Sequence, residues 1–141
     1  MMADWLDQMV GVWTYDGRMV PDDPAQARTG TEHVTRRGAW LVIEGEDYRF
    51  QFSMDPETGK LAGDFVHWEH PFLWTYEGEV EADGRLHLYS RGPDMEGKGG
   101  EREYDDIFEI VSPDIRLSQA RVKDENGQWR DFSRTTYTRV K

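Results

Sequence analysis

The residues best placed to do chemistry are a carboxylate and a histidine set among aromatic side chains. In the run Glu101 to Val111, alternation puts Tyr104, Asp106, Phe108 and Ile110 on one strand face and Asp105, Ile107 and Glu109 on the other. A carboxylate on an apolar face is either a structural group, with Arg121, Arg134 or backbone donors as partners, or a general base or acceptor that orients a ligand. His67 shares a face with Phe65. It reads either as a hydrogen-bonded or rim histidine or as an acid/base group. Asp106 and His67 are therefore the two catalytic candidates. Tyr76 and Tyr104 read either as core residues with bonded hydroxyls or as proton donors.

Two further motifs point elsewhere and are set aside. Gly92-Pro93-Asp94-Met95-Glu96-Gly97-Lys98-Gly99 nearly spells a phosphate-binding loop, but Gly99 replaces the Mg²⁺-binding Ser/Thr and the next segment reads as strand. Its Asp94 and Glu96 would also repel an anion, and no helix N-terminus follows to receive one. His67-Trp68-Glu69-His70 gathers two imidazoles and a carboxylate, with His33 and His87 elsewhere in the chain. Zinc takes three or four converging donors, and on a strand His67 and His70 face opposite ways unless a bend at Pro71 brings them together. No metal site and no cofactor is expected. With no cysteine, the chain has neither a disulfide frame nor a thiolate nucleophile.

The elements that must position these residues are strands. A short amphipathic segment, Ala3 to Val10, puts Trp5, Leu6, Met9 and Val10 on one helical face and serves as a lid. From Gly11 onward the period is two. About ten strands follow: Gly11 to Val20, Thr29 to Arg37, Trp40 to Glu46, Tyr48 to Met54, Leu61 to Trp68, Leu73 to Glu81, Arg85 to Arg91, Glu101 to Val111, Ile115 to Lys123 and Gln128 to Val140. Asp83-Gly84 and Asn126-Gly127 are type I′ hairpin signals, and Asp55 to Gly59 fits a longer loop. Serial hairpins make an up-and-down meander, and closure removes its edges. The expected fold is an all-β closed antiparallel up-and-down barrel over residues 1–141, one domain, with the helix capping one end. Pro21 to Ala27 and Gly92 to Gly100, rich in Pro, Gly and acid, are the expected pocket rim.

Gly11-Val12-Trp13 after a short helix resembles the G-x-W opening of lipocalin-like (calycin) barrels. Joined to Leu73-Trp74-Thr75-Tyr76-Glu77-Gly78, Asp83-Gly84-Arg85-Leu86, Tyr104-Asp105-Asp106-Ile107-Phe108-Glu109 and Thr136-Tyr137-Thr138-Arg139, it resembles the bacterial domain-of-unknown-function family numbered 1579, from about Leu6 to Arg139. The resemblance implies a lipocalin-like barrel. It also implies that Trp13 packs under the lid and is covered by an arginine of the last strand, Arg134 or Arg139. It carries no catalytic residue with it.

Inside such a barrel, Phe50, Phe52, Trp74, Tyr76, Tyr104 and Phe108 point inward by alternation, with Asp106 among them. His67, Gln119 and Arg121 complete the expected binding set, although alternation leaves the rotation of the second, third, fifth, ninth and tenth strands open. Large rings with a few polar tips suit an interior that keeps room for one small ligand. The net charge of -11, pI of 4.7, mean hydropathy of -0.83, 32% charged residues and 13% aromatics fit an acidic soluble domain. Such a charge disfavours nucleic acid and anionic membrane partners. No apolar run nears the roughly 20 residues of a membrane span and Met1 to Val10 has no basic stretch followed by an apolar one, so a cytoplasmic monomer or homodimer is expected. The leading expectation is a barrel binding a small apolar or aromatic molecule. A cofactor-free isomerase, cyclase or lyase using Asp106 or His67, and a haem-binding barrel with an axial histidine, stand beside it.

Overall fold

In the computed structural model, which describes residues 2–141 with side chains from Trp5 onward, ten antiparallel strands close into one barrel. They follow helix α1 (Met2–Asp7) as β1 (Gly11–Met19), β2 (Arg28–Arg37), β3 (Trp40–Glu44), β4 (Tyr48–Met54), β5 (Leu61–His67), β6 (Trp74–Val80), β7 (Leu86–Pro93), β8 (Glu101–Ser112), β9 (Ile115–Lys123) and β10 (Trp129–Arg139). Each strand pairs with its sequence neighbours, and β1 closes on β10 through the register Trp13 to Arg139 and Met19 to Ser133. Every expected strand is present, with ends differing by no more than two residues. None of the described helices is long and apolar enough to cross a membrane.

The turns differ in type from the sequence expectation. Gly84 and Gly127 adopt φ of 78° and 76°, while no described non-glycine residue has positive φ. A type I′ turn needs positive φ at two successive residues. The hairpins instead close with Gly84 N–H on the Glu81 carbonyl and Gly127 N–H on the Asp124 carbonyl, with Glu81 then paired to Arg85 and Asp124 to Gln128. These are three-residue loops in which the glycine takes the left-handed position, so Asp83 and Asn126 are spared that strain.

The lower half of the barrel is filled. Leu6, Met9, Trp13, Leu41, Phe52, Leu61, Leu86 and Leu88 are buried together beneath the lid. Burial of such side chains is worth about 1.5 to 3 kcal/mol each. Trp13 donates its indole N–H to the Met9 carbonyl at 2.9 Å, and the Arg139 guanidinium lies 4.3 Å from its ring centre. Arg139 also donates to the carbonyls of Val10, Gln8 and Pro113, which ties lid, first strand and last strand together. Arg134 takes no part in this closure and bonds Asp131 at the surface. Gly78 lets β6 approach β7: a Cβ there would stand 1.7 Å from the His87 carbonyl oxygen.

Candidate functional site

The upper half of the barrel is hollow. A cavity of about 1120 Å³ opens between the β1–β2, β3–β4, β5–β6 and β7–β8 connections. Residues from both expected rim segments, Gln26, Ala27 and Met95, border it. Its apolar wall comes from alternate residues of β4, β5, β6 and β8. Phe50 stacks on Tyr76 with centroids 5.0 Å apart and meets Phe65 and Phe108 edge-on. Trp74 meets Tyr104 edge-on at 5.3 Å.

Two polar groups of residues interrupt this wall. At the floor, Arg116 of β9 donates to Glu32 of β2, and Tyr48 of β4 donates to the same carboxylate. Glu32 and Arg116 are each 2% exposed, and the guanidinium lies between the rings of Trp13 and Tyr137, 4.8 and 3.7 Å from their centres. Burial, and then the Glu32 charge, push the Tyr48 and Tyr137 hydroxyls far above the usual tyrosine pKa, so both stay neutral. The pair is a self-neutralised ion pair closed off by aromatic rings.

The second polar group sits on β6, β7 and β8. Asp106 faces the cavity with the Tyr76 hydroxyl as its partner. Burial raises its pKa to about 7; Tyr76 opposes the shift and the nearby Asp105 charge adds to it. Ser90, 8% exposed, also lines the cavity. Its hydroxyl lies near Tyr76 without completing a hydrogen bond.

Not every residue expected inside is turned inward. Phe50, Trp74, Tyr76, Asp106 and Phe108 border the cavity together, whereas Phe52 lies below it in the filled core. Tyr104 borders it too, but its hydroxyl is engaged at the rim, accepting from Met95 N–H and donating to the Pro93 carbonyl. His67 stands at the mouth, its ring parallel to that of His70 with centroids 5.4 Å apart, and its Nδ1 accepts from Glu69 N–H. The turn after β5 brings the two imidazoles together, although strand parity alone would separate them. Among the described residues no group of three or more metal-ligating side chains is assembled.

Arg121 departs from the interior expectation, because β9 turns Arg116, Ser118, Ala120 and Val122 inward, whereas Gln119 borders the cavity. Arg121 bonds Asp105 at 2.5 Å on the outer wall, and the Gln119 amide bonds Asp131 and Arg85. Neither Arg121 nor Arg134 reaches Asp106, so the arginine-paired reading of that carboxylate does not hold.

Sequence reasoning missed Glu32, Arg116, Tyr48 and Ser90. Glu32 and Arg116 are separated by 84 residues and no local pattern links them. It also passed over a buried cluster on the outer wall. There His87, 3% exposed, bridges Asp105 at 2.9 Å and Asp83 at 2.8 Å through its two ring nitrogens. Burial works against the imidazolium, but the hydrogen bonds to Asp105 and Asp83 outweigh it and raise the His87 pKa above 6.5.

A family model described as a protein of unknown function, DUF1579, matches residues 2–139. The chain belongs to the DUF1579 family. No curated protein matches this DUF1579 sequence. Among solved structures, the S-type phycobiliprotein lyase CPES from Guillardia theta is similar at a TM-score of 0.54 and 12% identity, covering 98% of this chain and 92% of that chain. EF1p2_mFAP2b bound to DFHBI aligns at 0.45 and 12% identity over 99% of both chains. A DUF3598-family protein of unknown function from Nostoc punctiforme PCC 73102 aligns at 0.44 and 12% identity, covering 96% of this chain and 49% of that chain. At such identities the likeness to the lyase is one of fold.

Proposed function

We infer that this DUF1579 chain binds one small aromatic or apolar molecule in the upper half of its barrel. The observation that carries the reading is the cavity of about 1120 Å³, with Phe50, Phe65, Trp74, Tyr76 and Phe108 on its wall and Asp106, Tyr76 and Ser90 as an orienting polar edge. Apolar concave walls with few polar groups are what small-molecule sites look like, because rings supply burial and polar tips supply orientation. Calorimetry with 2-naphthylmethanol tests it. One-to-one binding is expected, and Ala120→Trp, which fills the space beside Asp106, abolishes it while circular dichroism shows the barrel intact. Absence of saturable binding, or binding unaffected by that plug, overturns the reading.

One observation favours a second reading. A cavity carboxylate with a pKa of about 7 is poised to take and return a proton near neutrality. Asp106 would remove a proton from a carbon next to a carbonyl, and solvent would resupply it. Deuterium exchange from an aryl ketone, followed by NMR, measures this. Equal exchange in the wild type, Asp106→Asn and His67→Ala sinks the enzymatic reading. The histidines bordering the cavity are His67 and His70, so a haem would take its axial ligand there. Lack of a Soret band after haem addition removes that alternative.

A further inference from the structure

We propose that the ligand is an aromatic ammonium ion, with its charged nitrogen between Asp106 and Ser90 and its ring against Phe50, Tyr76 and Phe108. The inference rests on the binding reading above and names the ligand class of that same site.

The first argument is charge. Of the charged side chains that line the cavity, Arg18, Arg28, Glu46, Asp47 and Glu69 are exposed at the mouth, and only Glu32, Asp106 and Arg116 are not. Glu32 and Arg116 neutralise each other. Among the described residues, Asp106 is left as the interior charge without a counterion, since Arg121 is taken by Asp105 and Arg134 by Asp131. A buried carboxylate is costly unless a cation or donors meet it. Here the missing cation is one that a ligand can bring.

The second argument is hydrogen bonding. Ser90 pairs with Tyr104 and Leu88 with Asp106, so Ser90 and Asp106 are diagonal neighbours on the inner face of β7 and β8. The Ser90 hydroxyl oxygen is buried without a partner. Carboxylate and hydroxyl oxygens therefore offer acceptors side by side, whereas the donors nearby reduce to Tyr76 and the serine proton. An ammonium group supplies up to three donors and no acceptor. The walls add to this, because ring faces attract a cation most strongly where water is excluded.

The third argument concerns the wrong ligand. A carboxylate or sulfonate entering the cavity would meet Asp106 and find Arg116 already engaged by Glu32. At the mouth the exposed acids Glu46, Asp47 and Glu69 outnumber Arg18 and Arg28 by one, and the net charge of -11 over the whole chain adds to the attraction of cations and the depletion of anions.

A charge series on one ring system decides it: 2-naphthylmethylammonium, 2-naphthylmethanol and 2-naphthoate, by calorimetry at pH 8 where Asp106 is mostly ionised. The ammonium ion is expected to bind at least about tenfold tighter than the alcohol, and the naphthoate most weakly. In Asp106→Asn the ammonium advantage falls to roughly threefold or less while the alcohol keeps its affinity, and Ser90→Ala weakens the ammonium ion selectively. If the alcohol binds as tightly as the ammonium ion, or the preference survives Asp106→Asn, the ligand class is overturned and the cavity reading stands. If none of the three binds, both fall.

Discussion

At the residue scale, the interior polar residues behave as two opposite cases. Asp106 is a carboxylate whose folded pKa, about 7, lies above its ordinary 3.8. Between those two values the folded chain keeps a proton that the unfolded chain has released, so this group makes stability fall as pH rises from about 4 to 7. Above that window the penalty is complete. Asp106→Asn should therefore stabilise the protein by roughly 2 to 4 kcal/mol at pH 8 and by little at pH 4, measured by urea denaturation. The Glu32–Arg116 pair acts the other way, since both charges are buried and each neutralises the other. Glu32→Ala leaves Arg116 uncompensated and should cost about 3 to 5 kcal/mol in the same measurement. Replacing the pair by Glu32→Leu with Arg116→Met should recover most of that loss, because the desolvation cost then disappears with the charges.

At the element scale, β6 to β9 carry a layer on each side of the wall. The inner faces of β6, β7 and β8 hold Tyr76, Ser90 and Asp106, while on the outer faces of β7, β8 and β9 stand His87, Asp105 and Arg121. The outer residues fasten the β6–β7 hairpin to its neighbours: Asp83 in the turn reaches back to His87, which reaches Asp105, which holds Arg121. Arg121 in turn lies 5.3 Å from the Trp129 ring centre on β10. With the His87 pKa raised, the stabilisation from its charged form is fully present below pH 6.5 and is lost as pH climbs through the raised value. His87→Gln should thus lower stability by about 1 to 3 kcal/mol at pH 6, and the gap to wild type should narrow at pH 9. A gap that stays constant across that range would show that His87 acts through packing and not through its charge.

At the scale of the whole molecule, the barrel divides its interior between a packed half and a hollow half. The lid, Trp13 and Arg139 seal the packed end, so that stability does not depend on filling the hollow one. A ligand that enters the cavity binds the folded state alone, because its wall is assembled from strands distant in the chain. At a concentration of 100 times Kd, 2-naphthylmethylammonium should add about 2.7 kcal/mol, a rise in Tm on the order of 5 to 15 °C by differential scanning fluorimetry. The shift should vanish in Ala120→Trp. Raising the salt concentration should weaken the shift without removing it, since the exposed acids at the mouth are screened and Asp106 inside is not.

What the amino-acid sequence determined by itself is what depends on near neighbours along the chain. Alternation is a property of one strand, so the ten strands and the inward set Phe50, Trp74, Tyr76, Asp106 and Phe108 were readable before any fold was known. The pairing of Trp13 with an arginine of the last strand was readable through family likeness, and the structure chose Arg139. Strand β9 was not readable in this way: Leu117, Gln119 and Arg121 alternate with Ser118, Ala120 and Val122, so neither face is clearly apolar. Only closure of the barrel decided it, because Asp105 and Trp129 outside could take Arg121 while Glu32 inside could take Arg116. The ion pair at the floor, the lack of a counterion at Asp106 and the volume of the cavity all depend on which distant strands face one another. That is a three-dimensional condition, and no spacing along the chain encodes it.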